Sequence, residues 1–200
     1  MRTPDTTGYG FPCVMLALLA TGWTVGSAVS NAADPPKKAP ITVDEVNAAQ
    51  QAWCDGLVQI GKVYKEGGDH KTAASRFLDK LYDFKEGKVF FRPTLAVAPK
   101  AFRTTKEGAL AYFIGGNPDF PDDKGFALAP WVKARYDNDV EGSNAIQIHG
   151  DIALAMGNVY LIGADGKEVM VDKVFAFRRC SDGQLRLIVH KSALPNRPTK

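Results

Sequence analysis

A run of hairpin signals in the last third of the chain restricts the fold to one that contains consecutive antiparallel strands. Two pairs, Asp165-Gly166 and Asp182-Gly183, divide this part, and Asp-Gly is typical of the tight turns that join antiparallel strands. The segments beside these turns alternate apolar and polar residues, as half-buried strands do. They are residues 152–162, 168–179 and 185–192. The sequence therefore predicts an antiparallel sheet built from consecutive hairpins.

Two helices are predicted before the sheet. Thr42 and Glu45 form the Ser/Thr-x-x-Glu capping box at the start of the first helix, and Gly67-Gly68 ends it. Asp69 caps the second helix, whose apolar residues recur at helical spacing as far as Tyr82. Packing between these helices and the sheet accounts for their aromatic residues without a cofactor.

A short strand and a third helix follow in the sequence. Residues 88–94 form the predicted strand, and Pro93 suits its end because proline has no amide hydrogen to donate. The third helix is predicted to begin at Thr104 or Thr105 and to end at Gly115-Gly116.

Helices followed by hairpins favour the α+β class. Residues 126–136 and 144–149 complete the predicted sheet as extended segments. Pro130 interrupts the first of them, and Gly157 is a candidate β-bulge in the strand 152–162. These interruptions predict N-terminal helices packed on a strongly curved, mostly antiparallel sheet. A sheet that curves around a helix in this way forms a cone, and the open end of the cone is a natural place for a ligand pocket.

The N-terminal region predicts export. Residues 11–30 are mostly apolar or small, and Ser30-Asn31-Ala32-Ala33 offers small residues for signal-peptidase cleavage. Residues 1–33 are therefore interpreted as a secretory signal peptide, with an uncleaved anchor as the alternative. We expect a secreted or periplasmic protein that has no stable membrane insertion after the signal is cleaved.

Composition sets the remaining boundaries. Residues 34–41 are rich in proline and lysine and are predicted to be a linker. Residues 42–195 form the predicted domain, and residues 196–200 a tail.

The mature chain contains Cys54 and Cys180, which an oxidising compartment would allow to pair. The sequence leaves open whether their Cα atoms are close enough for a disulfide.

Composition and motifs argue against several classes of function. The net charge is +3, and the Lys and Arg residues are spread along the chain, so no nucleic-acid partner is expected. The sequence has no GxSxG or GxxxxGK[ST] motif, no CxxC pair, and no GxGxxG after a predicted strand. The three histidines, His70, His149 and His190, lack the local spacing of a metal motif, so no metal is favoured.

The last predicted strand brings an imidazole and a hydroxyl group to one face. Strict alternation over residues 185–192 places His190 and Ser192 on one face and Lys191 on the other. The face of Lys191 also carries Leu185, Leu187 and Val189. A histidine in a strand is more often a structural residue held by a hydrogen bond, so this pair alone is a weak signal.

A cluster of hydroxyl groups and one imidazole forms the candidate site. Thr94 at the end of the first strand and Tyr112 on the third helix join His190 and Ser192. Three hydroxyl groups can hold a small planar oxyanion. An imidazole titrates near neutral pH and can accept a proton from water. Ordinary packing is the alternative explanation for Thr94 and Tyr112.

Several motifs, in the same order along the chain, resemble the iota class of carbonic anhydrases. The first is Phe-Arg-Pro-Thr at residues 91–94. The others are residues 102–116, 125–133, 153–160 and 190–195. The resemblance extends over about residues 42–195 and is more specific than any one motif.

The resemblance implies a fold, an activity and a site. It implies the cone of nuclear transport factor 2 and of the calmodulin-dependent kinase association domain, usually as a homodimer. The implied reaction is the reversible hydration of CO2 to bicarbonate and a proton. The implied catalytic residues are Thr94, Tyr112, His190 and Ser192. Among them, Thr94, Tyr112 and Ser192 would bind the substrate. Metal-free members imply no cofactor, whereas other members have been assigned manganese or zinc.

One departure from the family pattern bears on activity. The family usually ends in His-His-Ser-Ser, whereas this chain has His190-Lys191-Ser192-Ala193. Alternation keeps Lys191 out of the pocket, but a bulge that turned it inwards would replace a base with a cation. Two alternatives stay open. One is a non-catalytic oligomerisation or small-ligand-binding module with a decayed site. The other is an isomerase or dehydratase that uses a pocket acid such as Asp172.

Overall fold

The computed structural model describes residues 39–196. The predicted signal peptide 1–33, and the parts of the predicted linker and tail at 34–38 and 197–200, lie outside the described residues. The helices are α1 (Val43–Lys65), α2 (His70–Leu81) and α3 (Lys106–Ile114). The strands are β1 (Phe90–Arg92), β2 (Trp131–Asp137), β3 (Asp139–Val140), β4 (Ser143–Asn144), β5 (Ile146–His149), β6 (Ile152–Gly163), β7 (Glu168–Arg179) and β8 (Leu185–Ala193). Between residues 39 and 196, none of the helices combines the length and the apolar character that crossing a membrane requires.

The main sheet has the strand order β1-β8-β7-β6-β2. Its neighbouring strands run antiparallel, except that β1 and β8 run parallel. Strand β5 also pairs with β6, beyond the residues that pair with β2, so β2 and β5 share one edge of β6. The sheet is strongly curled but not closed. These features confirm the predicted α+β class with a curved, mostly antiparallel sheet.

The predicted caps fix where the helices begin and end. The Thr42 hydroxyl accepts the backbone N–H of Glu45 at 3.2 Å, and the Glu45 carboxylate accepts the backbone N–H of Thr42 at 2.9 Å. Asp69 caps α2, and Thr105 caps α3 through its side chain. Gly115 ends α3 with a φ of 66°, a left-handed conformation that favours glycine. The local sequence signals were sufficient for all three helices.

Gly157 lies where β2 and β5 meet along β6. The pairing of β6 with β7 continues without a shift through Gly157, so the predicted bulge at this residue is wrong. A Cβ atom here would collide with the carbonyl oxygen of Asp137, the last residue of β2. Glycine is therefore required because another part of the backbone approaches the strand closely.

A bulge lies in β8 instead. Phe177 pairs with Leu187, whereas the preceding residue of β7 pairs with Val189, so Ile188 is the extra residue of β8. The extra residue shifts the alternation by one position, and Leu187 is buried on the same side as His190. The face assignment predicted for the last strand is therefore wrong before Ile188 and correct after it.

The extended segment predicted for residues 126–136 is only partly correct. Phe126–Leu128 forms a short 3₁₀ helix, and β2 begins at Trp131. Gly125 precedes this turn with a φ of 83°, which directs the chain away from an extended path. The indole N–H of Trp131 donates to the carbonyl oxygen of Phe126 at 3.0 Å and fastens the turn to the start of the strand.

One face of the sheet packs against the helices and is called the inner face; the opposite one is the outer face. Trp53 of α1, Phe91 of β1 and Phe175 of β7 fill the space between the helices and the inner face, and each is essentially buried. Burial of this apolar surface is the main favourable term in folding. Cys54 and Cys180 are also buried, and both are free thiols.

Candidate active site

A cavity of about 630 Å³ lies beside α3 and the end of β8. Thr94 and Tyr112, two of the predicted site residues, line it. Most of the remaining wall is apolar and comes from Leu95, Phe126, Leu128, Trp131, Val169, Val171 and Leu194. Its other polar side chains are Tyr64, Asp122, Asp123 and Lys124. The cavity therefore places two hydroxyl groups in a mostly apolar surrounding, where hydrogen bonds are stronger than in water.

Thr94 connects the cavity to Ser192. The two side-chain oxygens are 2.6 Å apart, which is the distance of a short hydroxyl–hydroxyl hydrogen bond. The parallel pairing of β1 with β8 explains the contact, because it aligns Arg92 with Lys191, one residue before Ser192. Ser192 is completely buried, and its Oγ also lies 3.2 Å from the backbone carbonyl oxygen of Asp172.

Ser192 in turn contacts a buried lysine. Lys173 of β7 is only 2% exposed, and its Nζ lies 3.0 Å from Ser192 Oγ and 3.1 Å from His190 Nε2. The same nitrogen lies 4.6 Å above the centre of the Trp53 ring. Burial is the main cause that lowers the pKa of Lys173 to about 7. A lysine that titrates near neutral pH is therefore connected to the cavity through the hydroxyl groups of Ser192 and Thr94.

His190 lies inside the core, whereas its predicted role requires a position at the pocket. It is essentially buried and is not among the residues that line the cavity. Its Nδ1 is 2.9 Å from the Tyr82 hydroxyl oxygen, which accepts the indole N–H of Trp53 at 2.8 Å. Burial, with a smaller contribution from Lys173, lowers the pKa of His190 well below its usual value. The imidazole is therefore neutral at pH 7.

Aromatic rings hold the imidazole of His190 in one orientation. Phe91 stacks on it with ring centres 4.3 Å apart, and Phe175 meets it edge-on at 4.8 Å. Trp53 lies perpendicular to the imidazole at 5.5 Å. Such packing leaves the ring no freedom to turn towards the cavity, so its ring nitrogens stay directed at Tyr82 and Lys173.

Tyr112 supplies a buried polar atom to the cavity wall. Its ring stacks on Phe126 at 5.5 Å, and its hydroxyl group makes no hydrogen bond with good geometry in the described part of the chain. Burial raises the pKa of Tyr112 to about 12, although the backbone amide of Leu95 and the Thr94 hydroxyl oppose that rise. An unpaired buried hydroxyl costs free energy, so the site favours a polar ligand at this position.

Lys191 and Asp172 lie on the outer face. The Lys191 side chain is half exposed, and its Nζ is 3.2 Å from a carboxylate oxygen of Asp172. The predicted alternation at residues 190–192 is thus confirmed, and Lys191 does not line the cavity. The interpretation of Asp172 as a pocket acid is wrong, because its carboxylate points away from the cavity to pair with Lys191.

The structure brings the four predicted site residues into one neighbourhood by different routes. Thr94 and Tyr112 line the cavity directly, and Ser192 joins it through Thr94. His190 is connected only through Lys173. Lys173 is the member of this network that sequence reasoning missed.

A signal for Lys173 was present in the sequence. Alternation in β7 places it on the same face as Val171 and Phe175, both fully buried. A single charged residue within an apolar face is the pattern that marks a buried polar group. Tyr82 was recognised only as a core aromatic residue, and no local pattern indicates that its hydroxyl group meets His190.

The described residues offer one group of three potential metal ligands, and it lies outside the cavity. It consists of Asp83, Glu86 and Cys180, whose donor atoms lie within 4.8 Å of one another. Arg178 forms ion pairs with both carboxylates and therefore competes with a cation for them. The arrangement is a charged structural cluster with its own counter-ion.

A comparison with protein families tests the resemblance found in the sequence. Residues 44–194 match the family model of metal-independent carbonic anhydrases. The chain belongs to this family. The predicted resemblance to iota-class carbonic anhydrases is therefore confirmed, and membership in the metal-independent carbonic anhydrase family extends over nearly the whole described domain.

Two relatives, one protein sequence and one solved structure, agree with the family assignment. A protein from Nostoc sp. described as a metal-independent carbonic anhydrase is 43% identical over 171 residues, which are 84% of this chain and 81% of that protein. The crystal structure of the iota-carbonic anhydrase from a cyanobacterium, complexed with bicarbonate, is 42% identical. The alignment has a TM-score of 0.76 and covers 83% of this chain and 99% of that one. A calcium/calmodulin-dependent protein kinase II association domain from Xanthomonas campestris is also similar, at 19% identity, 81% coverage of this chain and a TM-score of 0.49.

Proposed function

We propose that this metal-independent carbonic anhydrase catalyses the reversible hydration of CO2 at the cavity wall formed by Thr94, Tyr112 and Ser192. The observation that carries the site assignment is the hydrogen-bonded Thr94–Ser192 pair beside the unpaired hydroxyl group of Tyr112. The family membership supports the reaction, and the bicarbonate bound to the cyanobacterial relative supports a small planar oxyanion as the ligand.

The proposed binding roles follow from the chemistry of the cavity wall. Bicarbonate has three oxygen atoms in a plane, and a set of hydroxyl groups can donate to and accept from it. Tyr112 donates the hydrogen bond that it lacks within the protein, and Thr94 and Ser192 supply the other contacts. CO2 is apolar overall, and the apolar side chains of Phe126 and Trp131 provide a binding surface for it beside these hydroxyl groups.

The hydration step forms one C–O bond and breaks one O–H bond. The oxygen of a water molecule attacks the carbon of CO2, and one π-electron pair moves onto a CO2 oxygen. The hydroxyl group of Tyr112 stabilises the charge on that oxygen, as a preorganised donor does in an oxyanion hole. The water proton leaves through the hydroxyl groups of Thr94 and Ser192. His190 holds the inner end of this relay through its contact with Lys173.

No metal lowers the pKa of water in this reaction, so the rate must come from position and preorganisation. Holding CO2 and water in contact removes much of the entropic barrier of a bimolecular step. The hydroxyl groups lie in a mostly apolar cavity wall, where fixed dipoles act more strongly than in bulk solvent. Both effects depend on a rigid frame, which β7, β8 and the aromatic rings around His190 provide.

Stopped-flow measurement of CO2 hydration tests the proposal on protein from which divalent metals have been removed with a chelator. We expect the wild type to be active and both Thr94→Ala and Ser192→Ala to lower kcat/KM by about 10²–10³-fold. Ser143→Ala, at an exposed serine of β4, is the matched control and should keep full activity. Full activity of both site variants would contradict the site assignment. An inactive wild type would indicate a non-catalytic module.

We further propose that the protein is a homodimer that associates through the outer face of the sheet. Leu154 and Met156 of β6 are exposed there, and strand pairing places Met156 beside the partly buried Val174 of β7. A contiguous apolar surface of this kind is typical of a protein–protein contact. Sedimentation should therefore give a dimer for the wild type and a monomer for Met156→Glu. A Val97→Glu variant, at an exposed valine outside the sheet, should remain dimeric.

Export to the periplasm or the medium is proposed from the sequence of residues 1–33. The apolar segment 11–30 followed by small residues at 30–33 supports it. Sequencing the N-terminus of the protein recovered from a cell fractionation tests this directly. A mature chain that begins near residue 33 in the exported fraction is expected, and an intact Met1 in the cytoplasmic fraction would contradict it.

A further inference from the structure

Lys173 is a buried amine without a buried counter-ion. Its side chain lies in the core at 2% exposure, and its polar contacts are Ser192 Oγ and His190 Nε2, neither of which carries a negative charge. Placing an unpaired ammonium group in such surroundings is costly, because the interior solvates charge poorly. Replacing it with an apolar residue would therefore be tolerated or favourable for stability alone. The fold keeps an amine at this position at the expense of stability.

The contacts of Lys173 fit both protonation states of the amine. An ammonium group has only N–H donors, and Ser192 Oγ can accept from it. His190 Nε2 can accept as well in the tautomer whose hydrogen is on Nδ1, where it donates to the Tyr82 hydroxyl oxygen. A neutral amine has one lone pair, which can accept the Ser192 hydroxyl hydrogen while an N–H continues to donate to His190. Lys173 can thus gain and lose a proton without moving, provided that His190 stays neutral.

The groups that face Lys173 leave it free to titrate. Cys54 of α1 lies nearby, and burial raises the pKa of that thiol to about 12, so it stays uncharged. Tyr136 of β2 directs its hydroxyl group at the Lys173 backbone carbonyl oxygen at 3.4 Å, and burial raises its pKa as well. Asp172, the neighbour of Lys173 in β7, is on the outer face with Lys191. His190 is neutral.

We propose that Lys173 is the group that accepts the proton released when CO2 is hydrated, through the hydroxyl groups of Ser192 and Thr94. The inference rests on the proposed function and adds the proton acceptor to it. The path is continuous in the structure: Thr94 lines the cavity, its Oγ is 2.6 Å from that of Ser192, and Ser192 is 3.0 Å from Lys173. Lys173 does not touch the reacting atoms. It is a positioning residue that acts through two catalytic hydroxyl groups.

The proton balance of the step is complete without another reactant. As the water oxygen bonds to carbon, a water proton moves to Thr94 Oγ, the Thr94 proton moves to Ser192 Oγ, and the Ser192 proton moves to Lys173 Nζ. The products are bicarbonate and a protonated Lys173. After bicarbonate leaves, the ammonium returns its proton through the same hydroxyl groups to water in the cavity, and the site is reset.

The proposal fixes the sign of the pH dependence. Hydration needs the neutral amine, so kcat for hydration should rise as pH increases through the Lys173 pKa of about 7. Dehydration of bicarbonate needs the ammonium form, so its kcat should fall over the same range. His190 contributes no step there, because burial holds its pKa well below neutral pH.

The test compares Lys173→Met and Lys173→Arg with Lys191→Met in stopped-flow assays between pH 5.5 and about 9, the range around the expected midpoint. Methionine removes the acceptor, and arginine remains charged throughout this range. We expect both Lys173 variants to lose about 10²–10³-fold in kcat with little change in KM, and to lose the rise near pH 7. Lys191→Met should keep the rate and the profile of the wild type.

A second measurement keeps the inference testable if a variant does not fold. Titration of the wild type with ¹³C-labelled lysine, followed by NMR at Cε, should show one buried lysine that titrates near pH 7 and whose signal is absent from Lys173→Met. An active wild type whose Lys173→Met variant keeps the rise near pH 7, or whose lysines all titrate near 10, would overturn this inference alone. An inactive wild type would overturn the proposed function itself.

Discussion

Lys173 and Lys191 lie 18 residues apart on neighbouring strands and differ in almost every physical respect. Lys191 lies on the outer face, half exposed, with the carboxylate of Asp172 within 3.2 Å. Lys173 lies on the inner face, buried, with a hydroxyl group and an imidazole as its partners. The outer lysine is an ordinary surface ion pair, which contributes little to stability. Burial of the inner lysine costs folding free energy and lowers the pKa of its amine to about 7.

The difference shows that the face of the strand, rather than the residue type, decides what a side chain can do. Asp172 and Lys173 are adjacent in the chain, yet one is a counter-ion in solvent and the other is a candidate base in the core. Substitutions on the inner and outer faces should therefore differ in their effects on stability and activity.

The largest effect is expected at the aromatic rings that hold His190. Phe91 and Phe90 are neighbours in β1, but Phe91 is 0% exposed and Phe90 is 62% exposed. Phe91→Ala leaves a cavity against the imidazole and should lower the free energy of unfolding by about 3–5 kcal/mol in urea denaturation. Phe90→Ala is the matched control and should change it by less than about 0.5 kcal/mol. Equal losses in the two variants would mean that the faces are not energetically distinct.

The second expected effect is a pH dependence of stability that belongs to Lys173. Burial lowers its pKa in the folded protein to about 7 from the usual lysine value of 10.5, so between these values the unfolded chain binds more protons. The free energy of unfolding should therefore rise with pH from about 7, by up to about 1.4 kcal/mol per pH unit. Above pH 9 the buried thiol of Cys54 acts with the opposite sign, because its pKa is raised from 9.0 to about 12.

Denaturation at several pH values between 7 and 9 separates the two lysines. Lys173→Met should flatten the rise, whereas Lys191→Met should keep it and change stability by less than about 0.5 kcal/mol. A wild type whose stability does not change over this interval would contradict the assignment of the inner lysine as a destabilised amine.

The smallest effect concerns the unpaired hydroxyl group of Tyr112. Tyr112→Phe keeps the ring stacked on Phe126 but removes the donor, and kcat/KM for CO2 hydration should fall by about tenfold. Stability should be unchanged or slightly higher, because a buried hydroxyl without a partner is lost. Tyr64→Phe is the control, since Tyr64 also lines the cavity but is largely exposed. A Tyr112→Phe variant with full activity and lower stability would assign the hydroxyl group a structural role.

Local signals in the sequence were enough for the frame of the molecule. The Thr42–Glu45 box, the Asp69 cap and the glycine at 115 act over a few residues, so their effect does not depend on the rest of the fold. The Asp-Gly turns act in the same local way and set the hairpins of β6, β7 and β8. Local signals do not determine how distant strands pair. The bulge at Ile188 is therefore evident only from the register of β8 against β7.

The site was predictable in part. Family motifs pointed to Thr94, Tyr112, His190 and Ser192, and alternation correctly kept Lys191 out of the pocket. The depth of His190 was not predictable, because it depends on three aromatic rings contributed by distant segments. Asp172 was predicted only as a candidate pocket acid of an isomerase or dehydratase, and its neighbour Lys173 was not predicted as a site residue. The apolar residues on both sides of Lys173 in alternation were the better guide.

The most direct test of the account is stopped-flow CO2 hydration by chelator-treated wild type and Ser192→Ala, measured side by side at pH 8. Ser192 links the cavity hydroxyl groups to Lys173, and the amine is mostly neutral at this pH. We expect an active metal-free wild type and a loss of about 10²–10³-fold in kcat for the variant. A wild type that hydrates CO2 only after a metal is added, or a Ser192→Ala variant as fast as the wild type, would contradict it.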